Sequence, residues 1–415
     1  MKIILVSVGT RGDMEPFLAI GELLKEKGHR VICAFPEQFK KLAVDSNLGF
    51  ASLGAKFIDL LESGDGKAAM GGATGFKKIA GTVKLAINQK DANKELLFNQ
   101  QKTIEDEKPD RVVYNGKAIY PIIWGLKNKG RTIFVSPLPY MHYVKGHTHV
   151  AFNSNFGEFF NKLTFALAHF GMVTTVKMSG KWLKITDRSK RKEIREMLRQ
   201  NKSVYTISPS LFSRPDYWHN NLKVSGYHQS APKIAWHPDK ALTDFLHRHQ
   251  KILFVTFGSM INPAPEEKTG IILDILERNK IPAIINTASG GLIKPEKFDT
   301  NLIHFVSQIP YGWIFPRMFG VIHHGGSGTT HLALKHGCVT MIIPHIIDQF
   351  VWDKLISEKG VGPRGVKIGK INVKNLEPKI LDLVNNTGYK KKVGQIKNQM
   401  AEENLEEELY NTIIE

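Results

Sequence analysis

Val321-Ile322-His323-His324-Gly325-Gly326-Ser327-Gly328-Thr329-Thr330, with Pro344-His345-Ile346-Ile347-Asp348-Gln349 shortly after it, is an apolar run that breaks into a glycine-rich turn. The turn opens a helix expected over Thr329 to Lys335, and the first N–H groups of a helix have no partner inside it. Such an end receives phosphate oxygens. An imidazole at the entrance adds a donor, and a carboxylate and an amide follow the next strand, residue types that suit sugar hydroxyls. Adjacent strand residues point to opposite faces, so one histidine of the pair can aim at a ligand. His324, which enters the turn, takes that place, and His323 faces a neighbouring element; a buried, hydrogen-bonded histidine is the plain alternative for either.

The pattern upstream supplies the rest of such a site. Lys2 to Val8 reads as a buried parallel strand, Gly9 to Met14 as a loop, and Pro16 as the first turn of a helix carrying Phe17, Ile20, Leu23 and Leu24. Arg30 to Phe35 is the second strand. Further strands are expected at Phe50 to Leu53, Arg111 to Tyr114, Thr132 to Ser136 and Val204 to Ser208, a doubly wound first half. Gly226 to Pro238 turns to Gly, His, Pro and Ser, and the logic then repeats. Strands are expected at Ile252 to Phe257, Ala283 to Asn286, Leu302 to Phe305, Gly320 to His323 and Thr340 to Ile343, with helices near Glu266 to Arg278 and Phe350 to Lys359. The fold class is α/β, two doubly wound, Rossmann-like parallel-sheet domains facing across a cleft: 1–228, a linker at 229–248, 249–389, and a helical tail at 390–415 that packs back toward the first domain.

A chain of 415 residues with 42% apolar and 23% charged content has material for two cores. The formal charge of +18 fits nucleic acid, an anionic membrane or an anionic substrate, and composition does not choose among them. Cys33 and Cys338 make neither a disulfide framework nor a cysteine metal site. No apolar stretch reaches the roughly 18 residues of a spanning helix, and no signal-like segment opens the chain. The expected location is cytoplasmic, with peripheral contact to the inner face of a membrane.

Asp13 sits at a strand-to-helix turn and is the candidate general base, set against an Asp that merely caps its helix. Gly258 and Ser259 end a strand at the same edge as the glycine turn; Ser259 reaches a phosphate while Gly258 permits close approach. Asp348 and Gln349 are either a sugar-binding pair or a helix N-cap pair. His142, His147 and His149 fit no structural zinc spacing, and no metal is assigned. Phe76, Ile79, Ala80, Val83 and Ile87 follow helical spacing, as do Phe156, Phe159, Phe160, Leu163, Leu167 and Phe170 ahead of a basic run from Lys177 to Lys202. Each fits an acceptor-pocket wall or a helix lying on an anionic bilayer, but a core-facing helix with a solvated charged face ranks first. Gly12, Phe76, Ile79, Val83 and His142 are the acceptor-pocket candidates.

Gly9-Thr10-Arg11-Gly12-Asp13, Phe257-Gly258-Ser259-Met260, Val306 to Pro316 with Gln308, Pro310, Trp313 and Pro316, the His-His-Gly-Gly-Ser-Gly-Thr-Thr turn and Pro344 to Gln349, in that order, resemble inverting GT-B-fold glycosyltransferases of the UDP-glycosyltransferase family. That group includes sterol glucosyltransferases and enzymes that glycosylate glycopeptide antibiotics. The resemblance implies that Asp13 deprotonates an acceptor hydroxyl, and that His324, Gly326, Gly328, Thr329, Ser259 and Gly258 hold the diphosphate. It places the sugar on Asp348 and Gln349 and the base on Val306, Gln308 and Ile309. Plant relatives carry a Trp platform and a Glu where this chain has Val306 and Leu332. The implied reaction moves a hexose, glucose foremost, from a UDP-sugar to an apolar acceptor (sterol, lipid, polyketide or phenolic) with inversion. It needs no cofactor, because the nucleotide-sugar is a co-substrate, and involves no nucleic acid. The rivals are a sugar-nucleotide epimerase on the same fold, a non-catalytic lipid- or nucleotide-binding module, and an NAD-dependent oxidoreductase, against which Gly9 to Gly12 lacks a full G-x-G-x-x-G.

Overall fold

The computed structural model describes residues 1–63, 76–139, 141–152, 155–185, 191–230, 236–262 and 264–415, with side chains except at 61–62 and 76–88. The chain divides into two compact units. The first takes Met1–Ser63, Val83–Lys233 and Glu403–Glu415, and the second is built on Ile234–Glu402.

In the first unit, β1 (Lys2–Val6), β2 (Arg30–Phe35), β3 (Gly49–Ser52), β4 (Arg111–Tyr114), β5 (Thr132–Ser136), β6 (Lys202–Tyr205) and β7 (Leu222–Val224) form one parallel sheet in the order β3-β2-β1-β4-β5-β6-β7. Ile3 to Val6 are fully buried, as a strand covered on both faces requires. Strand order reverses at β1: β2 and β3 lie to one side, and β4, reached next in sequence, to the other. The crevice beyond the carboxyl ends of β1 and β4 is therefore the ligand position of a doubly wound sheet.

The helix Arg11–Glu26 lays Phe17, Ile20 and Leu24 on this sheet, and the helix Glu406–Ile414 adds Leu409 and Ile413 to the same core. The second helix is further fixed by Lys27 to Glu407 at 2.8 Å and His29 to Tyr410 at 3.1 Å. Burial dominates that docking: a buried Leu or Ile contributes about 1.5–3 kcal/mol, an exposed ion pair about 0–1. Glu403 begins the return, accepting from the Ser210 hydroxyl at 2.6 Å and its amide at 3.1 Å. The rest of the expected tail, the helix Thr387–Glu402, packs within the second unit on the helix Ser327–Lys335 and on the strand Val339–Ile342.

The second sheet is parallel throughout, in the order β10 (Ile303–Val306), β9 (Ala283–Asn286), β8 (Leu253–Thr256), β11 (Gly320–His323), β12 (Val339–Ile342). Its order reverses at β8, so the crevice lies between β8 and β11.

Four expectations need correction. The first helix begins at Arg11, inside the stretch Gly9 to Met14 read as a loop, because Asp13 accepts the Thr10 N–H and closes a turn there. Strand β7, of three residues, was missed for its shortness. The second half of the stretch read as linker is helix Lys240–Arg248, capped by Asp239 through the Leu242 N–H. The aromatic helix expected to face the core, Glu158–Trp182, leaves Phe159, Phe160, Leu163, Leu167 and Phe170 in solvent. Phe76, Ile79 and Val83 lie on the helix Phe76–Glu107, where their side chains fall outside the described residues. Among the described residues no helix is long and apolar enough to cross a membrane.

Candidate functional site

In the first unit the crevice between β1 and β4 is occupied by a carboxylate and an ammonium. Asp13, in the first turn of its helix, accepts the Thr10 N–H at 2.8 Å on Oδ2, and Lys117 Nζ lies 2.9 Å from Oδ1. The side chains are 26% and 53% exposed. Asp13 thus closes the first turn of its helix and also lies at the crevice, partly exposed. A carboxylate has about four lone-pair sites; with the Thr10 hydroxyl also 3.4 Å from Oδ2 and Lys117 Nζ also 3.1 Å from it, a substrate hydroxyl has to share or displace the ammonium. The loop beneath is tied by Asn115, whose Nδ2 donates to the Ser7 hydroxyl at 3.0 Å and to the Val8 carbonyl at 2.8 Å. Ser7 Oγ in turn donates to the Asp13 carbonyl at 2.8 Å. Gly12 is exposed beside this turn. His142 is elsewhere: its Nδ1 meets the Tyr205 hydroxyl at 2.5 Å and burial lowers it to about 4. The adjoining cavity, lined by Tyr114, Phe134, Met141 and Met172 among others, has room for little more than a water molecule. His142 therefore belongs to packing, not to an acceptor-sized pocket.

In the second unit the helix begins at Ser327, two residues before expected, with Gly326 at its N-cap and no side chain capping it. Gly326 to Thr329 are half-exposed. The amides of Ser327, Gly328 and Thr329 precede the first intrahelical bond, Thr330 N–H to the Gly326 carbonyl at 3.0 Å, so they present an open anion site. Ser327 joins the residues the sequence pointed to.

His324 is wedged between two glycines. A Cβ on Gly258 would lie 2.8 Å from its Cε1, and one on Gly326 would lie 2.6 Å from its Nε2. Gly258 also has φ +57°, which favours glycine. These glycines make room for the imidazole rather than for a phosphate directly. Burial, with the neighbouring His323 and His345, holds His324 well below its ordinary value. It is a neutral donor near neutral pH and adds no charge. Its Nδ1 is buried with no hydrogen-bond partner among the described residues, as are His323 Nε2 and His345 Nε2. The Gly325 N–H donates to His323 Nδ1 at 3.0 Å, which leaves the proton of that ring on Nε2. His323, lowered to about 3 by burial, thus braces its own turn, where the sequence suggested contact with a neighbouring element. His345 contacts the Ile343 carbonyl at 2.9 Å through Nδ1 and packs its ring on Phe257.

The other sequence candidates fall along the same edge. Ser259 is exposed just past β8. Asp348 stands at the N-cap of the helix Gln349–Glu358 without its side chain capping it, and is half-exposed. Gln349 is buried, and its Oε1 accepts the His345 N–H at 2.7 Å and the Ile346 N–H at 3.1 Å. Its oxygen is therefore spent on the loop, which leaves only its amide nitrogen for the sugar role. At the other end, Val306 is half-buried and Gln308 exposed, while Ile309 is 7% exposed with its side chain in the core. Any base contact from Ile309 falls to its backbone. Between them the Thr256 hydroxyl, the Tyr311 hydroxyl (2.9 Å) and Asn286 Nδ2 (3.4 Å from each) lock the carboxyl ends of β8 and β9.

Sequence reasoning missed Lys117, Asn115, Asn286 and Thr256. One signal marks the group: a polar residue at or just past the end of an apolar strand in a parallel sheet, the rule that had singled out Asp13. Among the described residues no group of three or more His, Cys, Asp or Glu could hold a metal ion.

Comparison with known proteins adds names to this architecture. Residues 3–120 match the glycosyltransferase family 28 N-terminal domain, and 297–415 match the erythromycin biosynthesis protein CIII-like C-terminal domain. A sterol 3-beta-glucosyltransferase of Arabidopsis thaliana is 29% identical over 92% of this chain and 60% of its own length. One from Komagataella phaffii is 25% identical over 97% of this chain and 33% of its own. The chain thus spans between a third and three-fifths of these two relatives. Among solved structures, the calicheamicin glycosyltransferase CalG4 superposes with a TM-score of 0.69 at 13% identity, over 99% of this chain and 97% of that one. The spinosyn rhamnosyltransferase SpnG, complexed with thymidine diphosphate, gives 0.65 at 15% over the whole of both chains. The fold is GT-B.

Proposed function

We propose that this chain, built from a family 28 glycosyltransferase N-terminal domain and an erythromycin CIII-like C-terminal domain, is a metal-independent inverting hexosyltransferase. It moves a hexose, glucose foremost, from a uridine diphosphate sugar to a hydroxyl of an apolar acceptor such as a sterol, lipid, polyketide or phenolic, and it acts in the cytoplasm.

One observation carries the reading. Along the carboxyl edge of the second sheet the loops follow strand order: Val306 and Gln308 after β10, Thr287 after β9, Ser259 after β8, His324 and the open helix end after β11, Asp348 after β12. A nucleotide-sugar has the same sequence of parts: base, ribose, diphosphate, sugar. Three strand spacings, roughly 14 Å, separate the base end from the diphosphate end.

The chemistry then follows from the groups present. Asp13 takes the proton of the acceptor hydroxyl as its oxygen bonds to the anomeric carbon. The bond from that carbon to the phosphate oxygen breaks, and the diphosphate leaves with the electron pair, onto the amides of Ser327, Gly328 and Thr329 and the His324 N–H. A helix end carries about half a positive charge, and each fixed donor aimed at a developing anion contributes about 3–4 kcal/mol. That compensates the leaving group although His324 is neutral. Backside attack inverts the anomeric centre.

Incubation with UDP-glucose or dTDP-glucose and a panel of sterols, carotenoids, phenolics and lipids, read by mass spectrometry, tests this. A β-glycoside formed in excess chelator is expected, and Asp13→Asn should lower turnover by about 100-fold or more while UDP affinity stays put. UDP binding with no glycoside from any acceptor would favour a binding module, and an epimerised donor would favour the epimerase.

A further inference from the structure

The helix Glu158–Trp182 is apolar on nearly every side, and such a helix is ordinarily enclosed. This one buries only part of its circumference, through Thr164, Phe165, Val173 and Val176 among others. Phe159 is 78% exposed, Phe160 57%, Leu163 46%, Leu167 53%, Phe170 54% and Met178 49%. At 3.6 residues per turn these six fall within an arc of roughly 100°, a single stripe about 28 Å long. Phe152 and Phe156 extend it before the helix begins. Patches of this kind mark contact surfaces.

The charge beside the stripe is one-sided. From Phe156 to Gln200, eight described Lys and Arg residues are exposed against three Glu. Lys177 and Lys181 continue the stripe toward the helix C-terminus, and the Arg191 guanidinium lies 5.7 Å from the Phe170 ring. An interface with protein is depleted of charged residues at its core, Lys among them, and has a polar rim. Aromatic residues edged by a cationic surplus suit the acyl boundary and headgroup layer of an anionic membrane.

We propose that this face seats the protein on an anionic lipid bilayer, with Phe159, Phe160, Leu163 and Phe170 entering the acyl boundary and Lys177, Lys181 and Arg191 meeting headgroup phosphates. The seat is independent of sugar transfer, and it brings a membrane-dissolved acceptor to the unit that carries Asp13.

Full-chain protein is sedimented with vesicles of phosphatidylcholine alone or mixed equally with phosphatidylglycerol. Partitioning should be about tenfold or more stronger on the anionic vesicles and weaken with salt. Phe159→Ser combined with Phe160→Ser and Phe170→Ser should abolish it. Lys177→Glu with Lys181→Glu should erase the anionic preference. The Phe side chains are solvent-exposed, so circular dichroism and melting should match the wild type. Should the triple variant misfold, amide exchange of the wild type on vesicles must show protection at 156–182. Wild-type protein left in the supernatant, equal binding by a folded Phe variant, or a lipid-indifferent dimer dispersed by the Ser changes would overturn the proposal.

Discussion

Lys117 holds its ammonium against a carboxylate whose freedom decides whether an acceptor oxygen can be met. The pair is half in water, and exposed pairs are worth about 0–1 kcal/mol. Lys117→Met is therefore expected to lower kcat by about fivefold, leave UDP affinity unchanged and be partly rescued by Lys117→Arg. Steady-state kinetics beside calorimetry would show it, and an unchanged kcat would remove Lys117 from the positioning of Asp13. Gly326 offers a sharper test, because a Cβ there falls 2.6 Å from His324 Nε2 in a buried site with little slack. Gly326→Ala should weaken UDP binding about tenfold or more through displacement of the ring; undiminished affinity would mean that His324 does not touch the donor.

Elements were legible where pattern and chemistry agreed. The fully buried β1 and the Gly320–His323 strand feeding a glycine turn announced themselves, since continuous apolar runs ending in Gly have few other uses in an α/β chain. What escaped depended on tertiary context. The three-residue β7 lacks the length for a period, and the aromatic helix has the composition of a buried one. No local pattern says that Gln349 Oε1 is spent on the His345 loop, or that the Gly258 Cα is reserved for an imidazole. The helix Glu406–Ile414 rests on burial of Leu409 and Ile413. Leu409→Ala is expected to cost about 2–5 kcal/mol, read as a lower denaturant midpoint with the unfolding slope retained. A midpoint that does not move would show that the helix contributes nothing to the first unit.

At the scale of the molecule, buried imidazoles set the response to acid. His142, His331 and His345 are held at about 4 and His323 at about 3 by burial, with His324 also well below its usual value. The unfolded chain titrates these groups near 6.5, so between about pH 6.5 and 4 it is the unfolded state that binds the protons. Their contribution is complete above the unfolded value and is lost as pH falls toward the folded ones, at up to about 1.4 kcal/mol per pH unit for each histidine. Melting temperature should drop steeply from pH 7 to pH 5, and a flat profile would show that these rings are solvated. Six of the seven strands of the first parallel sheet and all five of the second were legible from the alternation of strands and helices.

The docking of Leu409 and Ile413 beside Ile3 and Leu5 also fixes an order of events during translation. Domains generally complete from the amino end as the chain emerges. Here the first unit has its sheet early but keeps one side of its hydrophobic cluster open until 403–415 has left the ribosome, by which time 234–402 is already out. Of the two units, the one begun earlier is the later to be closed, and during that interval it is the one a chaperone would have reason to hold.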